Sequence, residues 1–152
     1  MAKKLAEVTG DQNVNVRINV GTHQGVYFDD FILPRKIDIA DYKVFKRDST
    51  AFAAASLGHV LEEYYQADKQ YSTLPDPYSS AHKDALAFEG KVMSDYTGHD
   101  EGVSKPVTKS GTVTSFVYNT VTYDVITKSA TGEGANTMVR VVERQNKKQG
   151  TP

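Results

Sequence analysis

The sequence predicts an α+β domain in which a two-helix hairpin lies between N-terminal and C-terminal strands of an antiparallel sheet. Three observations predict this class. Residues 14–20 alternate apolar and polar side chains, residues 49–96 contain two amphipathic patterns separated by a loop, and residues 112–127 are rich in Val, Thr, Tyr and Phe. Alternation with a period of two is typical of half-buried strands, whereas apolar residues three to four positions apart are typical of helices.

Size and composition limit what this domain can be. At 152 residues the chain has the common length of a single domain with one hydrophobic core, and we expect residues 1–13 and 145–152 to be loosely ordered. The sequence has no run of the roughly 18 apolar residues that a membrane span needs. The N-terminus is basic but has no apolar stretch typical of a secretory signal. We therefore expect a soluble protein that is cytoplasmic or exported by a specialised secretion system.

Charge and cysteine content narrow the chemistry. The net charge of −1 provides no global attraction to nucleic acid, so we expect no nucleic acid and no membrane among the partners. The absence of cysteine excludes disulfides, thiolate catalysis and Cys-ligated metal sites. Any metal must therefore be held by His, Asp or Glu. A protein partner or protein substrate is the remaining expectation, and the oligomeric state is not predicted.

The N-terminal part of the predicted sheet consists of two strands. The first covers residues 14–20, a turn follows over residues 21–25, and the second covers residues 26–33 and ends at Pro34. Residues 37–45 fit neither a helical nor a strand pattern and stay unassigned.

The two helices have clear end signals. We expect the first to begin after Asp48 and Ser49, which are favourable N-caps, and to run to about residue 67. A loop with two prolines separates it from the second helix. Asp76 or Pro77 is expected to open that helix, which covers about residues 78–96, with Gly98 as its stop. Their apolar faces consist of Ala53, Leu57, Val60, Leu61 and Tyr64, and of Ala81, Ala85, Phe88, Val92 and Tyr96.

The C-terminal third is predicted to be β-structure. Residues 112–127 have strand composition, and Asn119 and Thr120 either divide them into two strands or mark a bulge. Residues 131–134 carry the signal of a hairpin turn, and residues 137–143 form the return strand. Together with the N-terminal strands, these segments most simply form one antiparallel sheet.

Four residues on the two helices form the chain's main polar cluster. His59 and Glu63 lie one turn apart beside the first apolar stripe, while Glu62 is expected to point further toward solvent. His82 and Glu89 lie within or beside the apolar face of the second helix. Antiparallel packing of the hairpin would place Glu63 near His82 and His59 near Glu89. A buried carboxylate needs a cation, a proton or a metal, because burying it unpaired costs several kcal/mol.

This cluster has two interpretations, and the residues leave both open. Neutral imidazole and carboxylate are good ligands for zinc and similar divalent ions, so His59, Glu63 and His82 would bind the metal, with Glu89 as a further ligand or a supporting group. Alternatively, interhelical His–Glu hydrogen bonds clamp the hairpin together. In that case the chain is a non-catalytic structural or protein-interaction domain.

Residues 57–63, Leu-Gly-His-Val-Leu-Glu-Glu, resemble the active-site helix of zincin-type metallopeptidases, whose pattern is L-x-H-E-x-x-H. Residues 80–89 resemble the second helix of zincin-like domains in secreted polymorphic toxins. The resemblance implies a metal-dependent hydrolase or toxin effector with zinc or another divalent metal as cofactor. In that family pattern His59 is a metal ligand, Glu63 stands at the second ligand position, and His82 or Glu89 supplies the third.

One position departs from this pattern. The residue after the first histidine of the motif is the glutamate that activates water, and the present chain has Val60 there. Valine cannot accept a proton. Either Glu62 or Glu89 acts as the catalytic base, or the domain binds metal without hydrolysis, or the resemblance is accidental.

Overall fold

Helices and strands form an α+β arrangement, as predicted, with three consecutive helices before the C-terminal strands. A computed structural model describes residues 2–22, 35–105, 107–129 and 136–146. Within these ranges the helices are α1 (Ala2–Gly10), α2 (Ile39–Asp48), α3 (Thr50–Lys69) and α4 (Pro77–Thr97). The strands are β1 (Asn19–Gly21), β2 (Lys36–Asp38), β3 (Thr108–Ser110), β4 (Val113–Val117), β5 (Val121–Ser129) and β6 (Asn136–Gln145).

The C-terminal strands form an antiparallel sheet in the order β3-β4-β5-β6. The predicted division at Asn119 and Thr120 is confirmed, because β4 ends at Val117 and β5 begins at Val121. The predicted return strand is β6, while the predicted turn at residues 131–134 lies outside the described residues. The sheet packs on the helices through a common core, which includes Phe45, Phe52, Val92, Met93, Phe116, Tyr118, Tyr123, Val125 and Val141.

The N-terminal strands do not join this sheet. Strand β1 pairs in parallel with β2, with Val20 opposite Ile37, and the two form a sheet of their own. The expectation of a single antiparallel sheet containing both ends of the chain is therefore corrected. The second strand that we predicted, over residues 26–33, lies outside the described residues.

Residues 14–18 precede β1 and belong to no strand. Every second side chain in this segment is half-buried, and Val16 and Ile18 pack against a cluster of Ile37, Val60 and Tyr64. The alternating sequence therefore predicted the burial correctly and the strand wrongly. Alternation reports which side chains face the core, whereas strand pairing requires a partner, and here pairing begins only at Asn19.

The predicted helical hairpin is confirmed in α3 and α4. Ser49 caps α3 by accepting a hydrogen bond from the Phe52 amide, and Asp76 caps α4 in the same way from Ser79. Gly98 ends α4 in the left-handed conformation at φ 71°, where a residue without Cβ is favoured. Among the helices of the described ranges, none is long and apolar enough to cross a membrane.

Helix α1 occupies residues that we expected to be loosely ordered. Lys4 lies where α1 contacts the helical hairpin. Its Nζ atom is 2.5 Å from Glu62 Oε2 and 5.2 Å from the ring centroids of Tyr65 and Phe88. A nine-residue helix is too short to be stable alone. These long-range contacts stabilise α1, and the local sequence carries no sign of them.

The loop that follows α4 crosses back over the helix at Gly90. The Ser104 amide donates a hydrogen bond to the Leu86 carbonyl at 3.3 Å, and the Glu101 amide donates to Ser94 Oγ at 3.0 Å. A Cβ atom at Gly90 would lie only 1.7 Å from the carbonyl oxygen of Gly102. Glycine is therefore required where the loop backbone meets the helix.

We expect Gly90→Ala to lower the free energy of unfolding by about 1–3 kcal/mol, because the added methyl group displaces the loop backbone. Urea unfolding followed by circular dichroism measures the change. Gly10→Ala is the matched control, since a Cβ atom at that position meets nothing within 4 Å. Equal effects of the two substitutions would contradict the close approach at Gly90.

Asp41 on α2 is an almost completely buried acidic side chain. Its Oδ2 atom has no hydrogen-bond partner among the described residues, and burial together with the charge of Asp38 raises the pKa of Asp41 to about 7. The folded protein therefore binds this proton more tightly than the unfolded chain does. As a result, Asp41 lowers the free energy of unfolding progressively as the pH rises from about 4 to about 7.

We expect Asp41→Asn to raise the free energy of unfolding by about 1–2 kcal/mol at about pH 8 and to have little effect near pH 4. The difference between the two proteins, measured by urea unfolding at several pH values, isolates this one group. A difference that is the same at every pH would show that the Asp41 carboxyl does not titrate abnormally.

Candidate metal centre

Helices α3 and α4 bring His59, Glu63 and His82 together. His82 Nδ1 lies 3.2 Å from Glu63 Oε1, and His59 Nε2 lies 3.8 Å from Glu63 Oε2. The two imidazole centroids are 5.0 Å apart. One potential ligand atom from each residue lies within 4.8 Å of the other two. The hairpin thus places Glu63 beside His82, as predicted, and His59 lies in the same group, as the metal-site interpretation expected.

The atoms of this group are poorly satisfied by hydrogen bonds. Glu63 is only 1% exposed, and its Oε1 atom has no hydrogen-bond partner among the described residues. The same holds for His82 Nδ1. Although these two atoms are 3.2 Å apart, they do not have hydrogen-bond geometry. Burying a carboxylate oxygen that has no donor is costly, so Oε1 of Glu63 favours a cation beside it.

Glu89 lies on the other side of His59, where the predicted pairing of these residues is confirmed. Its Oε2 atom is 2.7 Å from His59 Nδ1, and its Oε1 atom accepts hydrogen bonds from Ser104 Oγ at 3.1 Å and from the Tyr118 hydroxyl. Glu89 is 4% exposed. It therefore contacts the nitrogen of His59 opposite to the one near Glu63, and it does not belong to the three-residue group.

The two carboxylates determine the electrostatics of His59. Burial lowers the pKa of this imidazole, but the hydrogen bond that it donates to Glu89 and the charges of Glu89 and Glu63 outweigh burial, so that the pKa is raised above its usual value. Both effects of the carboxylates favour positive charge at the ring. The environment of His59 thus attracts a cation, which is either a proton or a metal ion.

The group is accessible from one side. The side chain of His82 is 42% exposed, whereas Glu63 is buried. Two imidazoles and one carboxylate are a ligand set of catalytic zinc sites, where three protein ligands leave a position for water or substrate. The donor set and its exposure on the His82 side therefore fit an open metal site.

Glu62 lies away from this group. Its Oε2 atom is 2.5 Å from Lys4 Nζ, and its Oε1 atom accepts a hydrogen bond from Gln66 Nε2 at 2.7 Å. We expected Glu62 to point toward solvent, but it is only 6% exposed. That expectation was wrong because α1 covers this part of α3. Its assignment as a catalytic base stays a prediction, as does that of Glu89.

Two residues at the site were missed from the sequence, Ser104 and Tyr118. Ser104 lies in the loop after α4, and Tyr118 lies in the turn between β4 and β5. Neither position carries a motif or a spacing that links it to the helices. The packing of the sheet against α4 brings the Tyr118 hydroxyl to Glu89, and the loop that bonds to Leu86 brings the hydroxyl of Ser104.

An apolar groove of about 590 Å³ lies elsewhere on the helices. It is bordered by α1, α2, α3 and the end of α4, and Lys43 and Lys46 are among the residues that line it. Its apolar lining consists of Leu5, Ile39, Tyr42, Ala53, Ala54, Leu57, Leu61 and Tyr96. No residue of the His/Glu cluster lines it. The expectation of a protein partner stays a prediction.

Comparison of the chain with protein-family models, with curated proteins and with solved structures finds no match. The resemblance of α3 and α4 to zincin-like domains therefore stays an expectation. What the structure establishes is an α+β domain with a group of His59, Glu63 and His82 that could hold a metal ion.

Proposed function

We propose that this chain is a divalent-metal-binding domain with His59, Glu63 and His82 as the protein ligands. One observation carries the proposal: the buried Oε1 atom of Glu63 and Nδ1 of His82 lie 3.2 Å apart, and neither has a hydrogen-bond partner among the described residues. His59 Nε2 lies 3.8 Å from the other oxygen of Glu63. Imidazole and carboxylate ligands fit zinc or another divalent metal. A metal ion at this point would satisfy all three groups.

The clamp interpretation explains only part of this arrangement. His59 and Glu89 do form a direct pair at 2.7 Å, which is the geometry expected of a clamp. Glu63 and His82, by contrast, lack hydrogen-bond geometry, and the 3.8 Å from Glu63 to His59 is too long for a hydrogen bond. The second pair of the cluster is therefore better explained by metal binding.

The hydrolase and toxin-effector roles implied by the zincin resemblance go further than this proposal. A bound divalent metal supplies a Lewis acid and an activated water, and hydrolysis also needs a base. Val60 packs in the core beside Tyr64 and is no base. Glu62 and Glu89 would each have to give up present partners to accept a proton. Catalysis by either residue remains a prediction for separate tests.

We expect the purified protein to bind one zinc or cobalt ion per chain, as measured by titration calorimetry and elemental analysis. Glu63→Gln should weaken binding by more than about 100-fold, beyond the effect of losing an outer partner, because it removes a charged ligand. Glu62→Gln is the matched control, since the neighbouring carboxylate is also buried but pairs with Lys4. Equal affinities of the two variants, or no binding by the wild type, would contradict the proposal.

Thermal unfolding distinguishes the metal-site interpretation from the clamp interpretation. For the metal site, zinc at about 100 times its Kd should stabilise the wild-type protein by about 2.7 kcal/mol, a chelator should reverse the effect, and His82→Ala should abolish it. For the clamp, the melting temperature would be the same with zinc and with chelator. His82→Ala would then lower it equally under both conditions.

A further inference from the structure

Glu89 is the meeting point of four parts of the chain. It lies on α4 and is hydrogen-bonded by His59 of α3, by Ser104 of the following loop and by Tyr118 of the β4–β5 turn. Glu89, Ser104 and Tyr118 are almost completely buried, and Tyr118 has no exposed surface. The side chain of His59 is partly exposed. Glu89 thus connects the helical hairpin with the C-terminal sheet in a region that excludes water.

The two hydroxyl groups limit what Glu89 can do. Burial and the charge of Glu89 raise the pKa of Tyr118 well above its usual value, so the phenol stays protonated and donates. Ser104 donates to the same oxygen, Oε1. With Oε1 accepting two hydrogen bonds, the orientation of the carboxylate is set and Oε2 is directed at His59 Nδ1.

The orientation of Glu89 in turn determines which nitrogen of His59 is free. An ionised carboxylate only accepts hydrogen bonds, so the proton of the neutral imidazole lies on Nδ1. The lone pair of Nε2 then faces Glu63. Histidine ligands of metals commonly donate their second N–H to a carboxylate, which fixes the ring and the tautomer.

We propose that Tyr118 and Ser104 are positioning residues of the metal site, which act through Glu89 to hold His59 in its ligand tautomer. This inference extends the proposed metal-binding function. Its consequence is that metal affinity depends on the packing of α4 against the sheet, although neither residue touches the metal ligands themselves.

The backbone holds both donors in place independently of the site. The Tyr118 amide donates to the Val121 carbonyl at 2.9 Å, and its own carbonyl accepts from Asn146 Nδ2 at 2.8 Å. Its ring packs edge-on against Tyr123 with the centroids 6.1 Å apart. The amide of Ser104 bonds to α4. The sheet and the loop therefore place the two hydroxyl groups beside Glu89 through contacts that do not involve Glu89.

Tyr118→Phe tests the inference because it removes one hydroxyl and keeps the ring. Tyr123→Phe is the matched control: both tyrosines are buried in the same core, and the Tyr123 hydroxyl donates to another carboxylate, Glu143, at 3.0 Å. Cobalt titration followed by the visible absorption of the bound ion measures affinity. We expect Tyr118→Phe to weaken binding by about 10–100-fold and Tyr123→Phe to leave it within about twofold.

A double-mutant cycle tests whether Tyr118 acts through Glu89. Glu89→Gln should weaken cobalt binding at least as much as Tyr118→Phe, and adding Tyr118→Phe to Glu89→Gln should have little further effect. Ser104→Ala should weaken binding in the same direction, and more strongly when combined with Tyr118→Phe. Additive effects of Tyr118→Phe and Glu89→Gln would mean independent roles and overturn the inference.

A measurement without metal distinguishes failure of this inference from failure of the proposed function. Nitrogen-15 NMR of the neutral histidine rings should show His59 protonated on Nδ1 in the wild type and a mixture of tautomers in Tyr118→Phe. If the wild type binds cobalt and Tyr118→Phe binds it equally well, the inference is overturned. If the wild type binds no cobalt, the proposed function fails, and an unchanged His59 tautomer in Tyr118→Phe then overturns the inference too.

Discussion

A carboxylate that is removed from water must be matched by hydrogen-bond donors or by a cation. The helical hairpin buries two carboxylates between its helices, one from α3 and one from α4. Glu63 and Glu89 are both almost fully buried. Two histidines at the same level of the hairpin meet this constraint, and at Glu89 it is also met by the hydroxyl groups that a loop and a strand turn place over α4. The close approach of the loop at Gly90 serves the same end, since it seats Ser104 over the helix.

The burial of the two carboxylates is compensated in different ways, and this difference distinguishes a structural group from a candidate metal ligand. Glu89 accepts hydrogen bonds from three side chains, so the protein itself compensates its burial. Glu63 has an oxygen without any donor among the described residues and lies beside the partly exposed His82. Side chains with complete partners tend to hold a fold together, whereas incompletely satisfied buried groups often mark places where a ligand binds.

The features of the site that depend on the local sequence could be predicted. Ser49, Asp76 and Gly98 signal the helix ends in the sequence, and the helical period together with a short connection places Glu63 beside His82. The remaining features depend on contacts between distant segments. Lys4 connects α1 with Glu62 of α3, and Tyr118 reaches Glu89 because the sheet packs against α4. The same distinction applies to residues 14–18, whose alternation follows the core and does not reveal the absence of a strand partner.

The exposure of His82 has a consequence for how quickly the site exchanges its occupant. Its side chain is 42% exposed, and rotation of an exposed side chain takes only picoseconds to nanoseconds. An ion bound as proposed would therefore enter and leave by the movement of one imidazole, with the buried Glu63 and the rest of the fold unchanged. The folded protein would thus act as a preformed chelator, whose ligands are in place before the ion arrives.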